Sequence, residues 1–124
     1  HSIEFQRVEG RLILEIIYGE TDPRYLQGEI DTYWVQHGGG DPADWCERLK
    51  QRLPLLHMKD YMVTPERQPC MTEIGSGNLN WKKIINASEA SGCKWFFVEQ
   101  DICPADPFVS LKKSFDYIKG NLCT

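Results

Sequence analysis

The sequence predicts an α/β fold built from parallel βα units. Three observations carry that prediction. Short runs of bulky apolar and β-branched residues alternate with stretches of helical period. The units recur at about 30 residues, the usual size of a strand plus its crossover helix. Ionisable residues stand at the carboxyl ends of the strands, where parallel α/β folds place their chemistry.

Each element has its own signal. His1-Ser-Ile-Glu-Phe reads as the end of a strand, followed by a polar turn through Gly10. Residues 11–18 are apolar at 12, 13, 14, 16 and 17, too apolar for period to separate helix from strand. Asp22-Pro23 is a turn or a helix start. Residues 26–35, rich in Ile, Thr, Tyr, Trp and Val, read as strand. Gly38-Gly39-Gly40 is a loop. Asp41-Pro42 opens a helix, with Asp as N-cap and Pro at the first helical position. That helix carries Trp45, Cys46 and Leu49 on one face and is expected to end near Leu53.

Residues 54–58 form a short buried strand. A long loop spans residues 61–77, punctuated by Pro65, Pro69, Gly75 and Gly77. Asn78 or Asn80 caps the next helix, in which Trp81, Ile84, Ile85 and Ser88 recur at helical spacing. Gly92 stops it. Residues 94–98 are a strand of bulky side chains that leads directly into Glu99-Gln100-Asp101. Asp106-Pro107 repeats the cap-and-proline start, and the last helix runs to Gly120.

Composition narrows the function classes. The chain has 124 residues, 41% hydrophobic and 26% charged, which suits one globular domain with a buried core. A net charge of −4 and the lack of a basic run argue against a nucleic-acid partner. No apolar run approaches the length that spans a bilayer, and the first residues do not form a signal peptide. Five cysteines are irregularly spaced without a C-x-x-C, so neither a zinc ribbon nor a redox pair is expected. They read as reduced thiols of a cytoplasmic protein.

Three strand ends carry the candidate chemistry. Asp31 is a carboxylate among apolar neighbours, so it caps the following loop or meets a cation. His57 ends its strand beside Lys59 and Asp60. Glu99 follows four large apolar residues, where a low dielectric would raise its pKa or demand a nearby cation. Asp, His and Glu at successive strand ends make an O/N donor set suited to Mn, Mg, Co or Zn ions. Lys59 is a candidate holder of a hydroxyl or carbonyl oxygen, and Trp34 and Tyr33 could stack on a substrate. The loop Glu73-Ile-Gly-Ser-Gly-Asn precedes a helix, as an anion-binding loop or as a tight turn.

Several segments together resemble the sugar phosphate isomerase/epimerase family, which has the xylose-isomerase-like TIM-barrel fold. They are His1-Ser-Ile-Glu-Phe, Glu29-Ile-Asp-Thr-Tyr-Trp-Val, Pro54-Leu-Leu-His-Met-Lys-Asp, Glu73-Ile-Gly-Ser-Gly-Asn-Leu-Asn-Trp, and Val98-Glu-Gln-Asp followed by Asp106-Pro-Phe. The resemblance covers the whole chain. It implies that Asp31, His57 and Glu99 ligate one divalent cation. It also implies that Glu99 and Glu4 are catalytic acids and that Trp34, Lys59 and His1 contact a sugar. The reaction implied is isomerisation or epimerisation of a keto-sugar or sugar phosphate, by proton transfer through an enediolate. An inositol-type keto-sugar dehydratase would use the same groups.

A complete barrel of this kind takes roughly 250 residues. Residues 1–124 are therefore expected to form one half-barrel domain, the C-terminal half, with about four parallel strands, five to eight of the barrel. Such a sheet has open edges and an uncovered inner face. The expected consequences are a homo-oligomer covering those strands, or a catalytically inactive, self-associating fragment.

Overall fold

The computed structural model describes residues 1–123. A single 3₁₀ turn, Ser2–Phe5, leads into a small antiparallel hairpin, β1 (Arg7–Val8) with β2 (Arg11–Leu12). Helix α1 (Ile13–Glu20) precedes β3 (Glu29–Asp31), which runs directly into α2 (Thr32–His37) and α3 (Pro42–Arg48). Next come β4 (Leu55–Met58), a second antiparallel hairpin of β5 (Asp60–Val63) and β6 (Pro69–Thr72), and α4 (Trp81–Ala90). Strand β7 (Trp95–Val98) and α5 (Pro107–Asn121) complete the order.

The central sheet is parallel, in the order β3–β4–β7. Its register sets Asp31 opposite His57, and His57 opposite Phe97. Side chains alternate between the faces of a strand. Ile30, Leu56 and Met58 therefore point to one face and are at most 2% exposed, packed with Val35, Trp45, Cys46, Trp81 and Ile84. Burial of each such side chain contributes about 1.5–3 kcal/mol. Glu29, Asp31, His57, Trp95 and Phe97 fall on the opposite face. No element among the described residues covers it fully, and Trp95 and Phe97 stay exposed.

The helix caps follow the local signals. The carboxylates of Asp41 and Asp106 accept from the backbone N–H groups of Ala43 and Phe108, each beside a proline in the first turn. Asn80, rather than Asn78, caps α4 by accepting from the Lys83 N–H. Gly92 takes φ +98° just beyond α4, a conformation that side-chain-bearing residues resist.

Four expectations need correction. Ser2–Phe5 is a 3₁₀ turn, so the described parallel sheet has three strands rather than four. Only Glu29–Asp31 of residues 26–35 is strand, because Asp31 caps a helix that the aromatic residues Tyr33 and Trp34 then occupy. Residues 61–77 contain the β5–β6 hairpin instead of an open loop. Helix α3 ends at Arg48, well before Leu53.

Candidate functional site

At its carboxyl end β3 turns straight into α2, so Asp31 belongs to both elements. One carboxylate oxygen accepts from the Trp34 N–H at 3.1 Å and caps α2. The other, Oδ2, faces the end of the sheet. The capping and cation-facing roles of Asp31 are thus carried by different oxygens.

His57, on the neighbouring strand, points its Nδ1 at Asp31 Oδ2 (3.6 Å) and at Glu99 Oε2 (3.1 Å). Its other ring nitrogen, Nε2, lies 3.1 Å from Glu29 Oε1. Glu99 follows β7, and its backbone N–H extends the ladder to the Met58 carbonyl. One donor atom each from Asp31, His57 and Glu99 gather within 4.8 Å of one another.

Lys59 sits just beyond β4, with its side chain only 1% exposed. Its ammonium reaches Asp31 Oδ2 (2.9 Å), Glu99 Oε2 (2.9 Å) and Asp101 Oδ1 (2.7 Å). Burial by itself would lower the lysine pKa. The hydrogen bonds to Asp101, Glu99 and Asp31 outweigh it and hold the group above its ordinary value. The buried Thr32 hydroxyl fixes the root of this side chain. It accepts from the Lys59 N–H (2.9 Å) and donates to the Lys59 carbonyl (2.8 Å).

These groups line an open cavity of about 360 Å³. His1, Glu4 and Trp34 line it too, with the His1 and Trp34 rings 5.5 Å apart. The site residues named from the sequence are thus neighbours in space, while Tyr33 lies behind Trp34, buried against Tyr61 and His37. The low-dielectric surroundings expected for Glu99 are absent. Its side chain is 46% exposed, because Trp95 and Phe97 on the same face are open. The nearby cation that was the other expectation is Lys59.

Two participants escaped the sequence reading. Glu29 looked like an ordinary strand residue, although its two-residue offset from Asp31 already put both on one face. Asp101 lies in an irregular segment that carries no periodic signal.

Asp60 turns the other way from Lys59. It is fully buried, and its carboxylate accepts from the N–H groups of Tyr61, Gly75, Gly77 and Leu79 and from the Trp81 indole N–H. The glycine-bearing loop therefore does wrap an anion, and that anion is the protein's own carboxylate. A Cβ on Gly77 would collide with Asp60 and with the Tyr61 carbonyl.

Comparison with known proteins gives this geometry a context. No protein-family model and no curated protein matches the chain. Among solved structures, two crystal structures of a sugar phosphate isomerase/epimerase from Parabacteroides distasonis superpose with TM-scores of 0.82 and 0.80 at 28% identity. They cover 98% of this chain but only 43% and 44% of their own. A xylose isomerase domain protein from Alicyclobacillus acidocaldarius matches 76% of this chain and 38% of its own. Its TM-score is 0.51 at 18% identity, a likeness of fold alone. The chain thus spans less than half the length of the solved chains it resembles. Its fold is that of part of a TIM barrel.

Proposed function

We propose that this chain forms the metal-binding half of a sugar isomerase or epimerase of the xylose-isomerase-like kind. The observation that carries the reading is the gathering of Asp31, His57 and Glu99 donor atoms within 4.8 Å at the rim of a cavity. Two carboxylates and an imidazole suit Mn, Mg, Co or Zn ions. The donor set fits such an ion for a further reason. With His57 Nε2–H donating a hydrogen bond to Glu29, the Nδ1 lone pair is left facing the carboxylates.

A divalent ion held there would act as a Lewis acid on substrate oxygens. The chain's own residues do the rest. Glu99 accepts and returns a proton at its carboxylate, a step that contributes about 10²–10⁴-fold to rate. Lys59 directs its ammonium at developing negative charge on a substrate oxygen. Trp34 and His1 offer flat faces along one wall of the cavity, and Glu4 supplies a second acid there. The net reaction is proton transfer between adjacent carbons of a keto-sugar or its phosphate. Residues 1–124 act as one half-barrel unit in this reading.

One observation favours a second reading. Trp95 and Phe97 leave apolar surface exposed on the inner face of the sheet. This surface suits coverage by further βα units or by a second copy of the chain. An isolated chain would then self-associate without turning over substrate.

Mn²⁺ titration of the purified protein by calorimetry tests the metal reading. Binding weakened at least about tenfold by Asp31→Ala or His57→Ala supports it. Proton exchange into a panel of ketoses and their phosphates, followed by NMR in D₂O, tests the reaction. A chain that binds none of Mn²⁺, Mg²⁺, Co²⁺ or Zn²⁺ overturns the proposal.

A further inference from the structure

Lys59 is a cation built into the site. Its three ammonium protons meet three carboxylates, and two of the accepting atoms, Asp31 Oδ2 and Glu99 Oε2, also face His57 Nδ1. A divalent ion and the ammonium therefore draw on the same two oxygens. The side chain is 1% exposed, and Thr32 holds the Lys59 backbone at both its N–H and its carbonyl. Asp101 is the third and shortest partner, and it lies outside the Asp31–His57–Glu99 cluster.

We infer that Lys59 is the site's resident counter-cation, and that Asp101 keeps its ammonium when a divalent ion takes Asp31 and Glu99. This rests on the metal reading above. In the metal-free protein Lys59 bridges two carboxylates that would otherwise repel each other and offsets part of their charge. When the ion enters, Lys59 becomes a like charge a few ångströms away. Lys59 thereby weakens ion affinity, and Asp101 limits that weakening by drawing the ammonium aside. A merely structural lysine has the opposite signature, because its loss would loosen the site and weaken metal binding.

The test is calorimetric Mn²⁺ titration of the full chain as wild type, Lys59→Met, Lys59→Arg and Asp101→Asn. The expected result is Mn²⁺ affinity raised about tenfold or more in Lys59→Met, with a lowered metal-free melting temperature that Mn²⁺ restores. Lys59→Arg, which keeps the charge, stays near wild type. Asp101→Asn weakens binding about tenfold, although Asp101 is not a ligand. A folded Lys59→Met that binds Mn²⁺ no better than wild type overturns the inference. Should Lys59→Met fail to fold, Asp101→Asn decides, and unchanged affinity in it overturns the inference. A wild-type chain that binds none of Mn²⁺, Mg²⁺, Co²⁺ or Zn²⁺ overturns the metal reading and this inference together, and a chain that binds one of the others but not Mn²⁺ is titrated with that ion instead. Wild-type binding with unaltered variants overturns this inference alone.

Discussion

Glu29 Oε1 lies 3.1 Å from His57 Nε2, on the far side of the imidazole from Asp31 and Glu99. The two residues sit on adjacent parallel strands, and the pairing assigns each ring nitrogen a separate partner. A carboxylate in that position orients the ring toward a cation. Glu29→Gln is therefore expected to lower Mn²⁺ affinity about 10–100-fold while leaving the fold intact. Calorimetry and circular dichroism on the variant check this. Unchanged affinity would remove Glu29 from the site.

Asp60 is a buried carboxylate satisfied entirely by N–H donors. Asp60→Asn puts an amide NH₂ against some of those donors and leaves others without an acceptor. Unfolding in urea should show a loss of about 3 kcal/mol or more. The Gly75 and Gly77 amides should also lose protection from hydrogen exchange, because their hydrogen bonds go to that carboxylate. A loss under about 0.5 kcal/mol would show that the carboxylate is dispensable.

Glu73 ties this loop to α5. Its carboxylate accepts from Ser110 at 2.9 Å and from Thr72 at 3.1 Å, and pairs with Lys113 at 3.4 Å. Burial would raise its pKa, but the backbone and hydroxyl hydrogen bonds and the Lys113 charge together hold it below the ordinary value. A depressed folded pKa adds stability above the unfolded value of about 4.3, and this is lost as pH falls through the folded pKa. Stability should therefore decline on acidification below about pH 4.3. Glu73→Gln should flatten that part of the profile. Melting temperatures across the acid range test it, and an identical acid slope in the variant contradicts the assignment.

Cys46 is completely buried in the core, and burial, with smaller contributions from nearby Cys93, Asp41 and Glu47, pushes its thiol up to about 12. The thiolate is the reactive form. Native protein treated with iodoacetamide near neutral pH should be alkylated at exposed Cys123 and left intact at Cys46. Peptide mass spectrometry reads both sites. Equal labelling of the two would mean that the core around Cys46 opens readily.

Local signals were legible wherever the physics is local. Asp41-Pro42 and Asp106-Pro107 start helices because a carboxylate and a proline suit the first turn, whatever lies around them. The strands ending at Met58 and Val98 were readable from their bulky side chains. Residues 26–35 misled because their β-branched and aromatic residues favour strand, while the Asp31 carboxylate starts a helix three residues into β3. The β5–β6 hairpin was hidden by Pro65 and Pro69 and by its charges. It closes on a buried carboxylate that no periodicity reveals.

By itself the sequence determined the βα rhythm, the main helix starts and the identity of the groups at the strand ends. Those properties depend on neighbours a few residues apart and on the alternation of side chains along a strand. Tertiary structure alone decided that Lys59 spends its ammonium on three carboxylates, that Glu29 holds the outer nitrogen of His57, and that the glycine loop encloses Asp60. Each of these depends on register between segments many residues apart, and in poorly screened surroundings that register decides which charge meets which partner.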